Sequence, residues 1–98
     1  MTARLAPRAL ADLEAIRTYL VPISPAGAEQ VRVAIADTIA LLAQFPHCGR
    51  DTDIEDVRVL PVVRYPYLVY HLAIDDDVLI LHIRHAARAA PGPADLRP

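Results

Sequence analysis

Histidine and arginine set the chemistry this 98-residue chain can attempt. Three of its four histidines, His71, His82 and His85, lie with Tyr67 and four of its ten arginines, Arg58, Arg64, Arg84 and Arg88, between residues 58 and 88. A metal-free ribonuclease needs a base for the 2′-hydroxyl, an acid for the leaving oxygen and cations for the phosphate, and these residue types supply all three. The spacing counts against it. His82 and His85 are three apart in a strand-like run, so they point to opposite faces and form no acid–base pair unless the strand bulges or ends. The other reading is a contact surface. Tyr67 across from Arg84 gives a cation–π contact worth about 0.5–1 kcal/mol. His85, with core-face parity, can bond a strand or helix end, and Arg88 is a solvated charge or a contact residue. Arg58 and Arg64 can anchor the acidic residues Asp53, Glu55 and Asp56, although exposed pairs contribute only about 0–1 kcal/mol.

Other chemistry has weaker support. His47-Cys48 lacks an orienting third group for a thiol nucleophile. Four scattered His and one Cys lack zinc-site spacing. The Asp51-x-Asp53-x-Glu55 run lacks the Gly and terminal Glu of a calcium loop, and Asp75-Asp76-Asp77 has the composition of a turn. No Gly-rich phosphate loop is present, so neither cofactor nor metal is expected.

Composition narrows the partners. The formal net charge is −2 and all ten basic residues are arginine, whereas proteins that grip nucleic acid through its phosphates carry a net basic field. Strong direct nucleic-acid binding is not expected. The chain is 54% apolar, more than a domain of this size can hide, so apolar patches that mark a partner site are expected on the surface. The single Cys48 permits no intrachain disulfide and fits a reducing cytoplasm. Arg8, Asp12, Glu14 and Arg17 break the apolar N-terminal stretch, which excludes a signal peptide or membrane span there.

These residues need elements to position them. Thr2 to Ala6 can form a short strand. Pro7 then opens a helix in which Leu10, Leu13, Ile16 and Leu20 recur at helical spacing, with Asp12 and Glu14 toward the positive end of its dipole, until Val21-Pro22 ends it. Ser24-Pro25 gives the N-cap and first residue of a second helix. Its seam is Ala28, Val31, Ile35, Thr38, Leu42 and Phe45, and Pro46 stops it. Val33, Ala36 and Ala40 lie partly off that seam, as propensity choices or as a partner groove. A polar loop from 46 to 56 leads to three strand-like runs, Val57 to Val63, Tyr67 to Ile74 and Val78 to His85.

The expected fold is therefore α+β: a short N-terminal strand, an αα-hairpin and a three-stranded antiparallel meander, β-α-α-β-β-β, with the helices on one sheet face. Ala73 is placed opposite Val78. Strict alternation then turns Leu68, Tyr70, Leu72, Ile74, Leu79, Leu81 and Ile83 to the helices. Tyr67, Val69, His71, Ile80, His82 and Arg84 fall on an open face, with Tyr67 opposite Arg84. The domain is expected over 1–88 and a flexible tail over 89–98.

The run Val57-Arg58-Val59-Leu60-Pro61-Val62-Val63-Arg64-Tyr65-Pro66-Tyr67-Leu68-Val69-Tyr70 resembles the central segment of the RelE/ParE toxin superfamily. The ending Leu79-Ile80-Leu81-His82-Ile83-Arg84-His85-Ala86-Ala87-Arg88, with its H-x-x-R element at His85 and Arg88, is similar to that superfamily's last strand. Leu5-Ala6-Pro7-Arg8 through Ile16 resembles its first strand and helix, and Phe45-Pro46-His47-Cys48-Gly49-Arg50 its turn after the second helix. Relatives often carry Ser where this chain has Ala6. The resemblance spans residues 2–88 in order and implies a cytoplasmic toxin of a type II toxin–antitoxin pair, made beside a helix-rich, ParD-like antitoxin that wraps it. A ParE-like member inhibits DNA gyrase and a RelE-like member cuts mRNA on the ribosome. The acidic, Lys-free composition favours the first. Arg58, Arg64, Tyr67, His82, Arg84, His85 and Arg88 become the candidate target- or partner-binding residues, with no catalytic residue assigned.

Overall fold

The computed structural model describes residues 2–88 and 90–96, so Met1 and, within the expected tail, Ala89, Arg97 and Pro98 lie outside the described residues. The chain runs β1 (Ala3–Leu5), α1 (Pro7–Leu20), α2 (Pro25–Gln44), β2 (Arg50–Asp51), β3 (Val57–Pro61), β4 (Tyr67–Ile74) and β5 (Asp77–His85), followed by a 3-10 turn over Pro93–Leu96. The strands form one sheet in the order β1-β5-β4-β3-β2.

Both helices start where their prolines place them. In α1, Pro7 occupies the first turn and Ala6 caps it without a side-chain bond. In α2, Ser24 Oγ accepts from the Gly27 N–H at 3.0 Å, the expected N-cap. Val31, Ile35, Thr38 and Leu42 are the buried stripe of α2. Phe45 leaves that stripe and is 57% exposed, because it is the C-cap and its backbone has already left the helical region (φ −130°, ψ 75°). The fully buried residue of α1 is Ala9, while Leu10 faces solvent. There the close approach of helix and sheet selects a small side chain over the periodic leucine.

The meander β3–β4–β5 is antiparallel, but the sheet as a whole is mixed rather than antiparallel. β1 pairs parallel to β5, Ala3 against Val78 and Leu5 against Ile80. The helical hairpin carries the chain away and back, and the meander then delivers its last strand beside the first. A two-residue strand, β2, also forms inside the expected 46–56 loop, with Arg50 opposite Val59 and Asp51 opposite Arg58.

Ala73 does sit opposite Val78, yet the faces differ from strict alternation. Val78 and Ile80 join Tyr67 and Val69 in the cluster packed with Ala9, Val31, Ile35 and Leu42 of the helices. Tyr70 and Leu81, with Val57 and Val59, form a separate cluster on the far face. The faces of β4 and of the first half of β5 are thus the reverse of the expectation. A β-bulge then shifts the register: Tyr70 opposes His82 while His71 opposes Ile80, leaving Leu81 as the extra residue. Past the bulge Ile83 returns to the helix side, so Ile80 and Ile83, three apart, share one core. Tyr67 consequently opposes His85, and Arg84 opposes Leu68. The expected Tyr67–Arg84 pairing does not occur.

Candidate functional site

Three of the seven candidate residues converge. Tyr67, at the start of β4, and His85, at the end of β5, meet edge to face with ring centroids 5.5 Å apart at 81°. Arg88 follows in the turn after β5, where its N–H donates to the His85 carbonyl at 3.1 Å. All three line a groove of about 760 Å³ between the helical hairpin and this end of the sheet, with Ile16 and Tyr19 of α1, Val31 of α2 and Tyr65 among its walls. The Tyr67 ring is buried, and desolvation holds its hydroxyl above the ordinary tyrosine range. His85 Nδ1 accepts from the Ala87 N–H at 3.1 Å, which folds the turn back and holds Nδ1 as an acceptor.

His82 and Arg84 lie elsewhere, and both are 6% exposed rather than open to solvent as alternation suggested. His82 stacks on Tyr70 at 6.1 Å, and its Nδ1 meets Asp12 Oδ2 at 2.5 Å. Arg84 Nε donates to the His85 carbonyl at 3.5 Å. Arg58 pairs with Asp51 of β2 at 3.3 Å, not with the loop acids Asp53, Glu55 and Asp56. Arg64 occupies the turn between β3 and β4 with φ 75° and lines a second groove with Glu29, Val33, Leu41 and Val63. Val33 faces solvent there beside the exposed Leu41 and Val63.

Asp12 was visible in the sequence only as a charge near a helix start. β1 covers β5 only as far as Ile80; beyond it, Asp12 Oδ2 accepts from the Ile83 N–H at 3.0 Å and so closes the open edge of β5 from α1. Arg8, one helical turn earlier, bonds Asp12 at 3.2 Å and reaches Asp95 at 3.2 Å. The i,i+4 spacing of Arg8 and Asp12 was a readable signal; the partnership with Asp95 had none. His71 is fully buried, with Nε2 at 2.8 Å from the Cys48 carbonyl and Nδ1 at 3.1 Å from that of Val69. A neutral ring donates to only one of these, and burial pushes its pKa below the ordinary value. It therefore ties the loop after α2 to β4.

Chemically, the arrangement offers an aromatic and aliphatic groove with one guanidinium and one imidazole at its rim and the Asp12 carboxylate, held by His82 and Arg8, in its wall. His82 and His85 remain on opposite faces, since the bulge precedes both. Among the described residues, no group of three or more His, Cys, Asp or Glu side chains is placed to hold a metal ion, and no helix is long and apolar enough to cross a membrane.

A family model described as the ParE toxin of the type II toxin–antitoxin system, parDE, matches residues 3–90. A curated toxin from Caulobacter vibrioides named RelE2 is 37% identical over 83 residues, covering 83% of this chain and 90% of the relative. Among solved structures, a chain of a chromosomal ParDE system from P. aeruginosa is similar at TM-score 0.77 and 27% identity, over 87% of this chain and 95% of that one. A chain of the intact E. coli RelBE toxin–antitoxin complex shares the fold at TM-score 0.60 and 14% identity, over 89% and 98%.

Proposed function

This chain belongs to the ParE toxin family of type II toxin–antitoxin systems, and from that premise we propose that it arrests growth in the cytoplasm by binding DNA gyrase, not by cutting RNA, until a cognate antitoxin neutralises it. The observation that carries this reading is the dispersal of its acid–base residues. His71 and His82 are buried and bonded to carbonyls and a carboxylate respectively. Arg58 is paired to Asp51, Arg84 is buried, and Arg64 lies on the β3–β4 turn along the second groove. Phosphodiester cleavage needs an acid, a base and cations around one phosphate, and these residues do not share a surface.

What remains together is suited to protein contact. Tyr67, His85 and Arg88 join Tyr19 and Tyr65 around a concave, mostly apolar groove, and aromatic and arginine side chains are the types that anchor protein interfaces. We assign the groove to partner binding, with Arg88 as its cationic rim. The net charge of −2 agrees with a protein target more than with a phosphate backbone.

The second reading is mRNA cleavage on the ribosome. The proximity of His85 and Arg88 at the groove rim favours it, since one ring nitrogen and one guanidinium could serve a phosphate there. The purified toxin added to a gyrase supercoiling assay distinguishes the two. Loss of supercoiling, with translation unaffected, is expected. Unchanged supercoiling with codon-phased cuts in translated mRNA would transfer the chain to the RelE-like activity.

A further inference from the structure

The outer face of α2 and the β3–β4 turn build the second groove, of about 900 Å³. Tyr65 fixes its shape: the hydroxyl donates to Gln30 Oε1 at 3.3 Å and fastens the turn to the helix. The groove exposes aliphatic side chains together, with Val63 75% exposed, Leu41 43% and Val33 42%. Contiguous apolar exposure of this kind marks an interaction surface. Arg64, on the same turn, is held at φ 75°, a left-handed conformation that is costly for an arginine and nearly free for a glycine. The other non-glycine residues with positive φ among those described are Asp56 and Asp75, a residue type that tolerates it. An arginine under backbone strain points to a use for its side chain.

The charges narrow that use. Among the described residues, neither Arg64 nor Asp37 enters an ion pair, whereas Glu29, the other acid of the groove, is paired with Arg32. One cation and one anion are thus left without partners beside the exposed aliphatic residues. We propose that this face joins two copies of the chain across a two-fold axis, with Arg64 of each copy paired to Asp37 of the other around Val33, Leu41 and Val63. A two-fold interface has to be self-complementary. A groove with a single cation and a single anion meets that condition, because setting it against itself pairs opposite charges twice and covers apolar surface with apolar surface. An occupant carrying one sign of charge would leave either Arg64 or Asp37 desolvated without a partner, which is costly. The inference stands whichever molecule the toxin attacks.

Sedimentation equilibrium of the purified full chain tests it. One helix face and one turn lie at the small end of interface areas, so the wild-type chain is expected to pass from monomer to dimer between roughly 1 and 500 μM. Arg64→Asp alone and Asp37→Arg alone each set like charges together twice, and each should weaken association by about tenfold or more. An equimolar mixture of these two variants restores both opposite-charge pairs and should dimerise as the wild type does. Arg64→Gly relieves the left-handed turn, so it should weaken association while raising the melting midpoint, which separates loss of the dimer from loss of the fold. A wild-type chain that stays monomeric throughout would overturn the proposal. So would a mixture no more associated than its components, or a dimer broken by Tyr19→Asp in the first groove and untouched by Arg64→Asp.

Discussion

The two faces of the sheet solve the same burial problem by different means. On the helix side, Val69, Ile80 and Ile83 pack against Ala9, Val31, Ile35 and Leu42 from two helices, all with almost no exposure. On the far side, Val57, Val59, Tyr70 and Leu81 cluster with Leu96 of one short turn, and the partly buried Ile54, Leu68, Leu72 and Leu79 pack against them. The polar residues divide in the same way. His85 and Arg88 open onto the groove between helices and sheet, whereas His82 and Arg84, from the same strand, are buried. Alternation after Leu81 separates the two sets, and the bulge there decides which face each takes by reversing His82 to His85 relative to the first half of β5. Residues equivalent by type and spacing thus acquire unrelated roles, one set at an accessible rim and the other inside the structure.

Perturbing each face should expose the difference. Ile80→Ala leaves a cavity that neither helices nor sheet can close, and chemical denaturation should register a loss of about 2–5 kcal/mol. Asp12→Ala removes the acceptor of the Ile83 N–H and the partner of His82 and Arg8 together. Its expected cost is about 1–3 kcal/mol, with amide exchange at Ile83 accelerated well ahead of exchange at Val69. Gly49→Ala should cost more than about 1 kcal/mol, since Gly49 has φ 104° and an added Cβ would lie 2.7 Å from the Val59 carbonyl oxygen.

Acidification gives a graded test at His71. Its pKa is depressed by burial from the ordinary 6.5, so the unfolded chain takes up a proton that the folded chain refuses. This contribution to stability is intact above pH 6.5 and is lost as pH falls from 6.5 toward the depressed folded value. Urea midpoints measured from pH 7.5 to 5.5 should decline, and His71→Leu should flatten the decline while lowering stability throughout, because the bond to the Cys48 carbonyl is gone. At the small end, Arg32→Ala removes an exposed pair with Glu29 on α2 and should leave the thermal midpoint unchanged within error.

Much of the architecture was legible because its signals are local. Pro7, Ser24-Pro25 and Pro46 punctuate the helices where the structure does, and Val31, Ile35, Thr38 and Leu42 are buried at their helical spacing. Asp75-Asp76-Asp77 turns the β4–β5 hairpin in the expected register. What escaped depends on long-range geometry. The parallel pairing of β1 with β5 joins residues about 75 apart, and nothing near Ala3 specifies it. The bulge is equally silent in Leu81-His82, where either face tolerates a leucine. Arg84 was expected outside because strict alternation placed it on the open face, and Leu96 was expected in a flexible tail, whereas both are buried. Of the candidate site, the meeting of Tyr67 with His85 was not legible, because alternation put Tyr67 opposite Arg84 on the open face and gave His85 core-face parity; the register shift brings the two together, and Tyr19 and Tyr65 entered the groove only once the helices were placed.

Whether this toxin acts by binding through the groove rim is decided by DNA supercoiling by gyrase in the presence of wild-type and Arg88→Glu toxin. Wild-type toxin is expected to abolish supercoiling, and Arg88→Glu, with an unchanged circular dichroism spectrum and melting midpoint, to restore it. Gyrase that is indifferent to the wild-type toxin, together with cleavage of mRNA on translating ribosomes, would contradict it.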